Sequence, residues 1–327
     1  MTIKRSIRLF ALVLVTLAFT GMPPASRGQW SWPWSGGPAS PAVVAVLDVG
    51  QGDAILVRSP EGKTALIDAG PTREGAVTAL KREGIRHLDL VAISHHHSDH
   101  YGGMEEVIRQ WKPRYFLASR SGHSTKTYLK LLQAVEAEGI TAIQPTSRPR
   151  KIALGSVELT VFAQAPEDRR EENNNSVGIR LKYGSFSVLL PGDGESPERR
   201  WWLEHEPDLV RDCTILKLAH HGSRNGTDAH WLDAVRPELA VASMGRNNEF
   251  GHPHPETVSL LRRAGIPLLR TDRLGTIAIE SDGRSWKVVR PALLARRGRP
   301  TQDDVDRVAA STTDDAPTKP ARRTRVR

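Results

Sequence analysis

The most informative part of this chain is Ile93-Ser94-His95-His96-His97-Ser98-Asp99-His100-Tyr101-Gly102-Gly103. Within it, side chains that bind divalent metals follow the pattern His-x-His-x-Asp-His, at His95, His97, Asp99 and His100. Imidazole and carboxylate are the groups that suit zinc and similar ions. The apolar residues 88–93 predict a buried strand before this stretch, and Gly102-Gly103 opens a predicted helix over residues 102–111. We therefore expect a metal site on a loop between a strand and a helix.

Strands and helices alternate on both sides of this loop. Residues 43–48 and 54–58 predict a hairpin around a Gly-bracketed turn, and residues 63–68 predict a third strand. Strand–helix units follow, with predicted helices at residues 73–84, 102–111, 124–138, 197–206, 228–235 and 256–265. Strand pairs return near residues 176–190 and 276–290. This pattern predicts two mixed sheets that pack face to face, with helices on their outer sides.

The two ends of the chain differ in composition from this region. Residues 1–28 have the pattern of a signal peptide or N-terminal anchor, because Lys4, Arg5 and Arg8 precede a short apolar run at residues 9–22. Residues 29–42 predict a linker, residues 43–292 the folded domain, and residues 293–327 a disordered basic tail. We expect an exported protein that is extracellular, periplasmic or attached to the outer face of the cytoplasmic membrane through its N-terminal segment.

Charge and cysteine content limit the function classes. The chain has 46 Lys and Arg against 37 Asp and Glu, a net charge of +9. This excess favours an anionic partner, but part of it lies in the predicted tail, so charge alone is a weak indication of nucleic acid. Cys213 is the single cysteine, which excludes an internal disulfide. Its apolar neighbours predict a buried thiol rather than a catalytic nucleophile.

Further motifs carry a family resemblance. They are Leu47-Asp48-Val49-Gly50-Gln51-Gly52-Asp53-Ala54, Leu66-Ile67-Asp68-Ala69-Gly70, Asn173-Asn174-Asn175-Ser176, Leu190-Pro191-Gly192-Asp193, Leu216-Lys217-Leu218-Ala219-His220-His221-Gly222-Ser223 and Gly251-His252-Pro253. With the histidine cluster, they resemble the metallo-β-lactamase fold and, within it, the ComEC-like branch, named after the hydrolase domain of the competence DNA-uptake channel. The resemblance covers about residues 43–290 and implies an α/β fold, a four-layer αββα sandwich. The channel's many membrane spans have no counterpart in this sequence, so we expect the hydrolase part alone.

The resemblance also implies a metal centre. Its ligands would be His95, His97, Asp99, His100, Asp193 and His221, and they would hold one or two divalent ions, zinc or manganese. Asp193 would bridge two ions, and Asp68 would orient a ligand histidine from behind. Most members of the fold have a third histidine where this chain has Asn173-Asn174-Asn175-Ser176. That departure leaves coordination positions open and makes manganese an alternative to zinc.

The predicted catalytic residues are Asp99, His220, Lys217 and His252. Strand alternation puts Lys217 and His221 on one face and His220 on the other. The resemblance then implies that His221 is a metal ligand and that His220 is an acid or a substrate contact. If the alternation breaks at the strand end, the two histidines exchange these roles. A buried Lys217 needs a site carboxylate or a substrate phosphate, unless it extends to the surface. His252 is a ligand, a leaving-group acid or an ordinary loop residue.

The remaining polar residues receive more general predictions. Gln51 and Asp53 are expected to line the cleft, His96 and Ser98 to face away from the metal, and His123 and His254 to lie on the surface. The expected reaction is hydrolysis of a phosphodiester, DNA or another, by metal-bound hydroxide. The alternatives are an exported DNA- or surface-binding module with a vestigial metal site, or a hydrolase of phosphocholine-type or lactam substrates. No protein partner is inferred.

Overall fold

Two mixed β-sheets form the centre of the protein. A computed structural model describes residues 40–289, so the predictions for residues 1–28, for most of the linker and for the tail lie outside the described residues. The strands are β1 (Ala42–Val46), β2 (Ile55–Arg58), β3 (Thr64–Ile67), β4 (Leu90–Ala92), β5 (Tyr115–Leu117), β6 (Thr141–Ile143), β7 (Arg150–Leu154), β8 (Val157–Val161), β9 (Ile179–Tyr183), β10 (Phe186–Leu190), β11 (Ile215–Lys217), β12 (Leu239–Ala242), β13 (Leu268–Arg270), β14 (Ile277–Ser281) and β15 (Trp286–Val289).

The strand orders confirm the mixed character predicted for both sheets. The first sheet runs β15-β14-β1-β2-β3-β4-β5-β6, and the second runs β13-β12-β11-β10-β9-β8-β7. In the first, β1 to β3 pair antiparallel and β3 to β6 pair parallel. In the second, β7 to β10 pair antiparallel and β10 to β13 pair parallel.

Helices cover the outer faces of both sheets. They are α1 (Gly75–Arg82), α2 (Ser98–Tyr101), α3 (Met104–Trp111), α4 (Lys126–Ala137), α5 (Ser196–His205), α6 (Pro207–Val210), α7 (Ala229–Val235), α8 (Pro255–Arg263) and α9 (Thr271–Leu274). The predicted helix over residues 102–111 corresponds to α3, and the unpredicted α2 precedes it. Between residues 40 and 289 no helix combines the length and apolar character that a bilayer span requires.

The apolar strands are buried on both faces, which explains their nearly continuous hydrophobic runs. In β1, Val44 and Val46 face the core between the two sheets, whereas Val43 and Ala45 face the core under the helices. A third core lies under α5, α7 and α8 and contains Cys213. The prediction of a buried thiol is thereby confirmed.

The parallel strands of the two sheets deliver polar residues to a shared edge. Asp68 follows β3, the histidine stretch follows β4, Asp193 follows β10 and His221 follows β11. Hydrogen bonds join the two sheets there, from Val177 N to Ser94 O at 2.8 Å and from Ser243 Oγ to Gly52 O at 2.7 Å. Residues distant in sequence therefore meet at the carboxyl ends of the strands, where loops can present functional groups.

Candidate metal centre

The histidine stretch folds as an extended segment followed by a short helix. His97 is the residue before α2, so Asp99 and His100 lie on a helical turn rather than on the loop that we expected before the helix. Gly102 and Gly103 allow this helix to approach the chain after β3, because a Cβ on either would overlap a backbone carbonyl oxygen there. Ala69 N donates to His100 O at 2.7 Å. This close packing sets His100 against Asp68.

Asp68 and Ser94 orient His100 from behind. Asp68 accepts hydrogen bonds from Ser94 N at 2.6 Å and Ser94 Oγ at 2.8 Å, and its Oδ2 lies 2.8 Å from His100 Nδ1. With Nδ1–H donating to Asp68, the lone pair of His100 is on Nε2. That Nε2 is buried and has no hydrogen-bond partner among the described residues. The geometry is the one expected when a carboxylate supports a ligand histidine.

Four donor atoms from separate loops converge on one point. Asp99 Oδ2, His100 Nε2, Asp193 Oδ2 and His221 Nε2 all lie within 4.8 Å of one another. His100 Nε2 is 3.2 Å from Asp193 Oδ2, and His221 Nε2 is 3.2 Å from Asp99 Oδ2 and 3.5 Å from Asp193 Oδ2. We call this set the four-donor half of the site.

The donor set fits a divalent ion. Each imidazole of the four-donor half has an acceptor on Nδ1, Asp68 for His100 and Ser243 O at 2.9 Å for His221, so both Nε2 atoms are directed to the shared point. Asp193 Oδ1 is buried and has no hydrogen-bond partner within residues 40–289. Burial would raise the pKa of Asp193, but the adjacent His100 and His221 hold that pKa well below its usual value, so the carboxylate is anionic. Two anionic oxygens and two imidazole nitrogens suit zinc or manganese.

The other half of the site is less complete. His95 Nε2 lies 3.0 Å from His97 Nδ1 and 4.0 Å from Asp193 Oδ2. We call His95 and His97, with the Asp193 carboxylate 4.0 Å from His95, the two-histidine half. Burial first, and then the charge of His100, hold the pKa of His95 well below its usual value, which keeps its imidazole neutral.

The asparagine run supplies no further imidazole. Asn174 accepts from Glu195 N at 3.3 Å and donates to Asp168 at 2.9 Å, and Asn175 also bonds with Asp168. Asn173 is buried, its Nδ2 is 3.5 Å from His220 Nδ1, and its Oδ1 lacks a hydrogen-bond partner in the described part of the chain. Two of the asparagines therefore build the loop, and Asn173 faces His220.

Lys217 is buried in an ion pair behind the site. Its Nζ lies 2.6 Å from Asp53 Oδ2, and both side chains are only 1% exposed. Asp53 Oδ1 is in turn 3.3 Å from His221 Nδ1. Of the partners considered for Lys217, the structure supplies a site carboxylate, and the surface alternative is wrong. Lys217 thus contacts the metal centre through Asp53 and His221.

The strand alternation predicted across His220 and His221 breaks before it reaches them. β11 ends at Lys217, and both histidines have left-handed backbone conformations, with φ of 49° and 54°. His221 nevertheless joins the four-donor half, while His220 is 25% exposed and lies 3.3 Å from Glu195 Oε1. Left-handed non-glycine residues are uncommon and concentrate at functional sites. The predicted placement of the two side chains holds, but two turn residues produce it.

His252 lies beside this turn. Its ring centre is 6.0 Å from that of His221 and 5.5 Å from that of His220. Burial and the charges of the neighbouring histidines lower the pKa of His252 to about 3, so its imidazole is neutral near pH 7. A neutral imidazole can bind a metal or donate an N–H, but it fits the predicted leaving-group acid poorly.

A second histidine cluster was missed by the sequence predictions. His96 does face away from the metal centre, but it is buried, with Nδ1 2.8 Å from Glu172 Oε1. His123 stacks on it at 5.2 Å. His123 and His254, which were predicted to lie on the surface, are half-buried and only partly exposed there. Glu172 and Glu195 contact histidines across the fold, and no local pattern in the sequence marks them.

Comparison with known proteins agrees with this geometry. Residues 47–246 match the model of the metallo-beta-lactamase superfamily. The chain is 30% identical to ComE operon protein 3 of Bacillus subtilis over 258 residues, which is 73% of this chain and 33% of that protein. It is also 30% identical to the competence protein ComA of Neisseria gonorrhoeae over 256 residues, covering 73% and 32% of the two chains. The chain thus spans about a third of the length of these relatives.

The fold is also found in solved structures. The β-hydroxylase CmlA of Streptomyces venezuelae, a diiron protein, superposes with a TM-score of 0.51 at 15% identity, over 78% of this chain and 55% of that chain. Identity this low supports the fold alone. The family match covers most of the described domain, including all the loops that form the metal centre. The chain therefore belongs to the metallo-β-lactamase superfamily, and it is similar to the ComEC-like proteins of competence.

Proposed function

We propose that this protein is a metal-dependent phosphodiesterase that acts on DNA. The observation that carries the proposal is the four-donor half, in which loops at Asp99, His100, Asp193 and His221 meet around one point. A protein rarely buries imidazole nitrogens and carboxylate oxygens together without hydrogen-bond partners unless they bind a ligand, because each such polar atom costs stability. Such an arrangement favours a site that holds an ion and leaves room for substrate.

The side chains around the site can divide the work of hydrolysis. A divalent ion held there would supply Lewis acidity and lower the pKa of water. The Asp99 side chain is 30% exposed, so its carboxylate can orient an attacking water from the open side. His220 is also accessible, and its Nδ1 lies 3.3 Å from Glu195 Oε1, so its Nε2 can contact the departing oxygen. The neutral His252 can donate an N–H to a phosphate oxygen.

Two observations support a nucleic-acid substrate. The chain carries a net charge of +9, which attracts polyanions, and all of this excess comes from residues 1–39 and 290–327. Its relatives include proteins named for competence.

The N-terminal pattern of a signal peptide supports export, which would bring the domain into contact with extracellular or periplasmic DNA. N-terminal sequencing of the protein recovered outside the cytoplasm would test export, and an intact Met1 in the cytoplasmic fraction alone would contradict it.

Cleavage assays test the proposed reaction directly. The full chain would be incubated with single-stranded DNA, double-stranded DNA and bis-p-nitrophenyl phosphate, each with Mn²⁺, Zn²⁺ or a chelator. We expect cleavage with metal, none with chelator, and loss of cleavage in Asp99→Ala. Asp233→Ala is the matched control, because Asp233 is exposed on α7.

Other outcomes would point to the alternatives. Retention of DNA without cleavage under every metal condition would support a binding module. Turnover of nitrocefin without diester cleavage would support a lactam hydrolase. Either result would overturn the phosphodiesterase proposal.

A further inference from the structure

We propose that Phe250 forms a subsite that stacks an unpaired nucleobase beside the metal centre. This inference rests on the proposed function, because it names the part of the substrate that the same site would recognise. Among the described residues, the large hydrophobic side chains that are exposed are those of Leu129, Leu132 and Phe250, and Phe250 is the most exposed at 54%. The two leucines lie on α4, whereas Phe250 lies on the loop that leads to His252.

A series of rings connects Phe250 to the metal centre. The His252 ring lies 6.0 Å from the His221 ring, with 31° between their planes. The Phe250 ring then stacks on His252 at 5.7 Å and 23°. His221 is a donor of the four-donor half, so these planes lead from the metal centre to solvent. A base on the exposed side of Phe250 would belong to the same strand as the phosphate at the metal centre, a few nucleotides away, because the His252 and Phe250 rings lie between them.

The loop holds Phe250 in place. Asn248 brackets His252, since its Oδ1 accepts from His252 N at 2.9 Å and its Nδ2 donates to His252 O at 2.8 Å. His254 Nε2 lies 3.2 Å from Phe250 O. Contacts on both sides therefore restrain the backbone of Phe250. A restrained aromatic side chain loses little entropy on binding, which favours stacking.

Stacking selects unpaired bases. An exposed aromatic ring binds any base through its face, so the subsite would tolerate every sequence. In a duplex both faces of a base are covered by its neighbours, which makes an unpaired or terminal base the better ligand. Arg246 and Glu249 are both exposed on this loop and oppose each other in charge. Stacking, rather than local charge, would then be the main contribution of the loop.

Binding to matched oligonucleotides tests the subsite. Fluorescence anisotropy would compare oligo-dT with an abasic strand of equal length, in chelator, for the wild-type full chain and for Phe250→Ala, Phe250→Trp and Leu129→Ala. We expect Phe250→Ala to weaken oligo-dT binding about tenfold, within the usual range for loss of one stacked base, and to leave the abasic strand unchanged. Phe250→Trp should retain wild-type binding of oligo-dT. Leu129→Ala should leave the affinities for oligo-dT and for the abasic strand unchanged.

Two results would overturn the subsite. One is an equal effect of Phe250→Ala on both strands, and the other is no effect on oligo-dT, including the case in which the wild type does not bind it. Cleavage with Mn²⁺ separates this failure from failure of the proposed function. A wild type that binds oligo-dT through Phe250 but cleaves neither strand would contradict the phosphodiesterase alone, whereas equal cleavage of oligo-dT by wild type and Phe250→Ala would contradict the subsite alone.

Discussion

The two halves of the metal centre are built differently. The four-donor half takes its side chains from α2 and from the turns after β10 and β11, and each imidazole has an acceptor behind it. The two-histidine half takes its imidazoles from neighbouring residues after β4, where His95 and His97 lie 3.0 Å apart. Asn173-Asn174-Asn175 provides it with no third imidazole. The comparison indicates that a first ion would bind in the four-donor half and a second would bind more weakly.

The carboxylate that both halves approach gives the largest expected effect. Asp193→Ala removes the oxygen that lies 3.2 Å from His100 Nε2 and 4.0 Å from His95 Nε2. Metal content by mass spectrometry should fall, and diester cleavage should fall roughly a thousandfold or more, because Lewis-acid stabilisation is worth several kcal/mol. The exposed Asp233→Ala is the control. Full metal content in Asp193→Ala would contradict this description of the site.

The support behind the four-donor half can be broken at Lys217. Lys217→Met leaves Asp53 buried and without its ammonium partner, next to His221. The free energy of unfolding should fall by about 3–5 kcal/mol in urea denaturation, because an unpaired buried charge is costly. Lys182→Met, at an exposed position of β9, is the control. Equal losses in the two variants would show that the ion pair does not stabilise the fold.

The halves can then be compared ligand by ligand. His221→Ala removes a ligand and should raise the dissociation constant of the first ion by roughly a hundredfold. Losing a group that only supports a ligand already weakens metal binding by about ten- to a hundredfold. His97→Ala should raise the same dissociation constant by about tenfold at most, because His97 belongs to the two-histidine half. Calorimetric titration of Zn²⁺ or Mn²⁺ measures both constants. Similar effects of the two variants would remove the distinction between the halves.

The smallest expected effect is a gain in the weaker half. Asn173→His adds an imidazole at a buried position beside His220, where Asn173 Oδ1 has no hydrogen-bond partner among the described residues. The number of bound ions should rise from about one to about two per chain, since a third imidazole completes a typical zinc set. Asn225→His, at an exposed position, is the control. An unchanged number of bound ions would show that residue 173 is not the position of a third imidazole ligand.

Some features could be predicted well because the sequence encodes them locally. Apolar runs such as residues 88–93 predict buried strands, and the spacing of His95, His97, Asp99 and His100 predicts ligands on one loop. Asp68, Asp193 and His221 came from family resemblance, and the fold brings all three to that loop. Helix α2 was not predicted, because its four residues are stabilised by packing against the chain after β3 rather than by their own periodicity.

The two mixed sheets, the metal-binding loop and the family were predictable without a structure, because hydrophobic periodicity and short motifs are properties of neighbouring residues. Three features became evident from the folded protein. Lys217 pairs with Asp53, His220 and His221 adopt left-handed turns, and Phe250 extends a series of rings into solvent. These features depend on contacts between loops far apart in the chain. Their physical cause is burial, because a buried charge or imidazole needs a polar partner, and the fold determines which partners lie within contact distance.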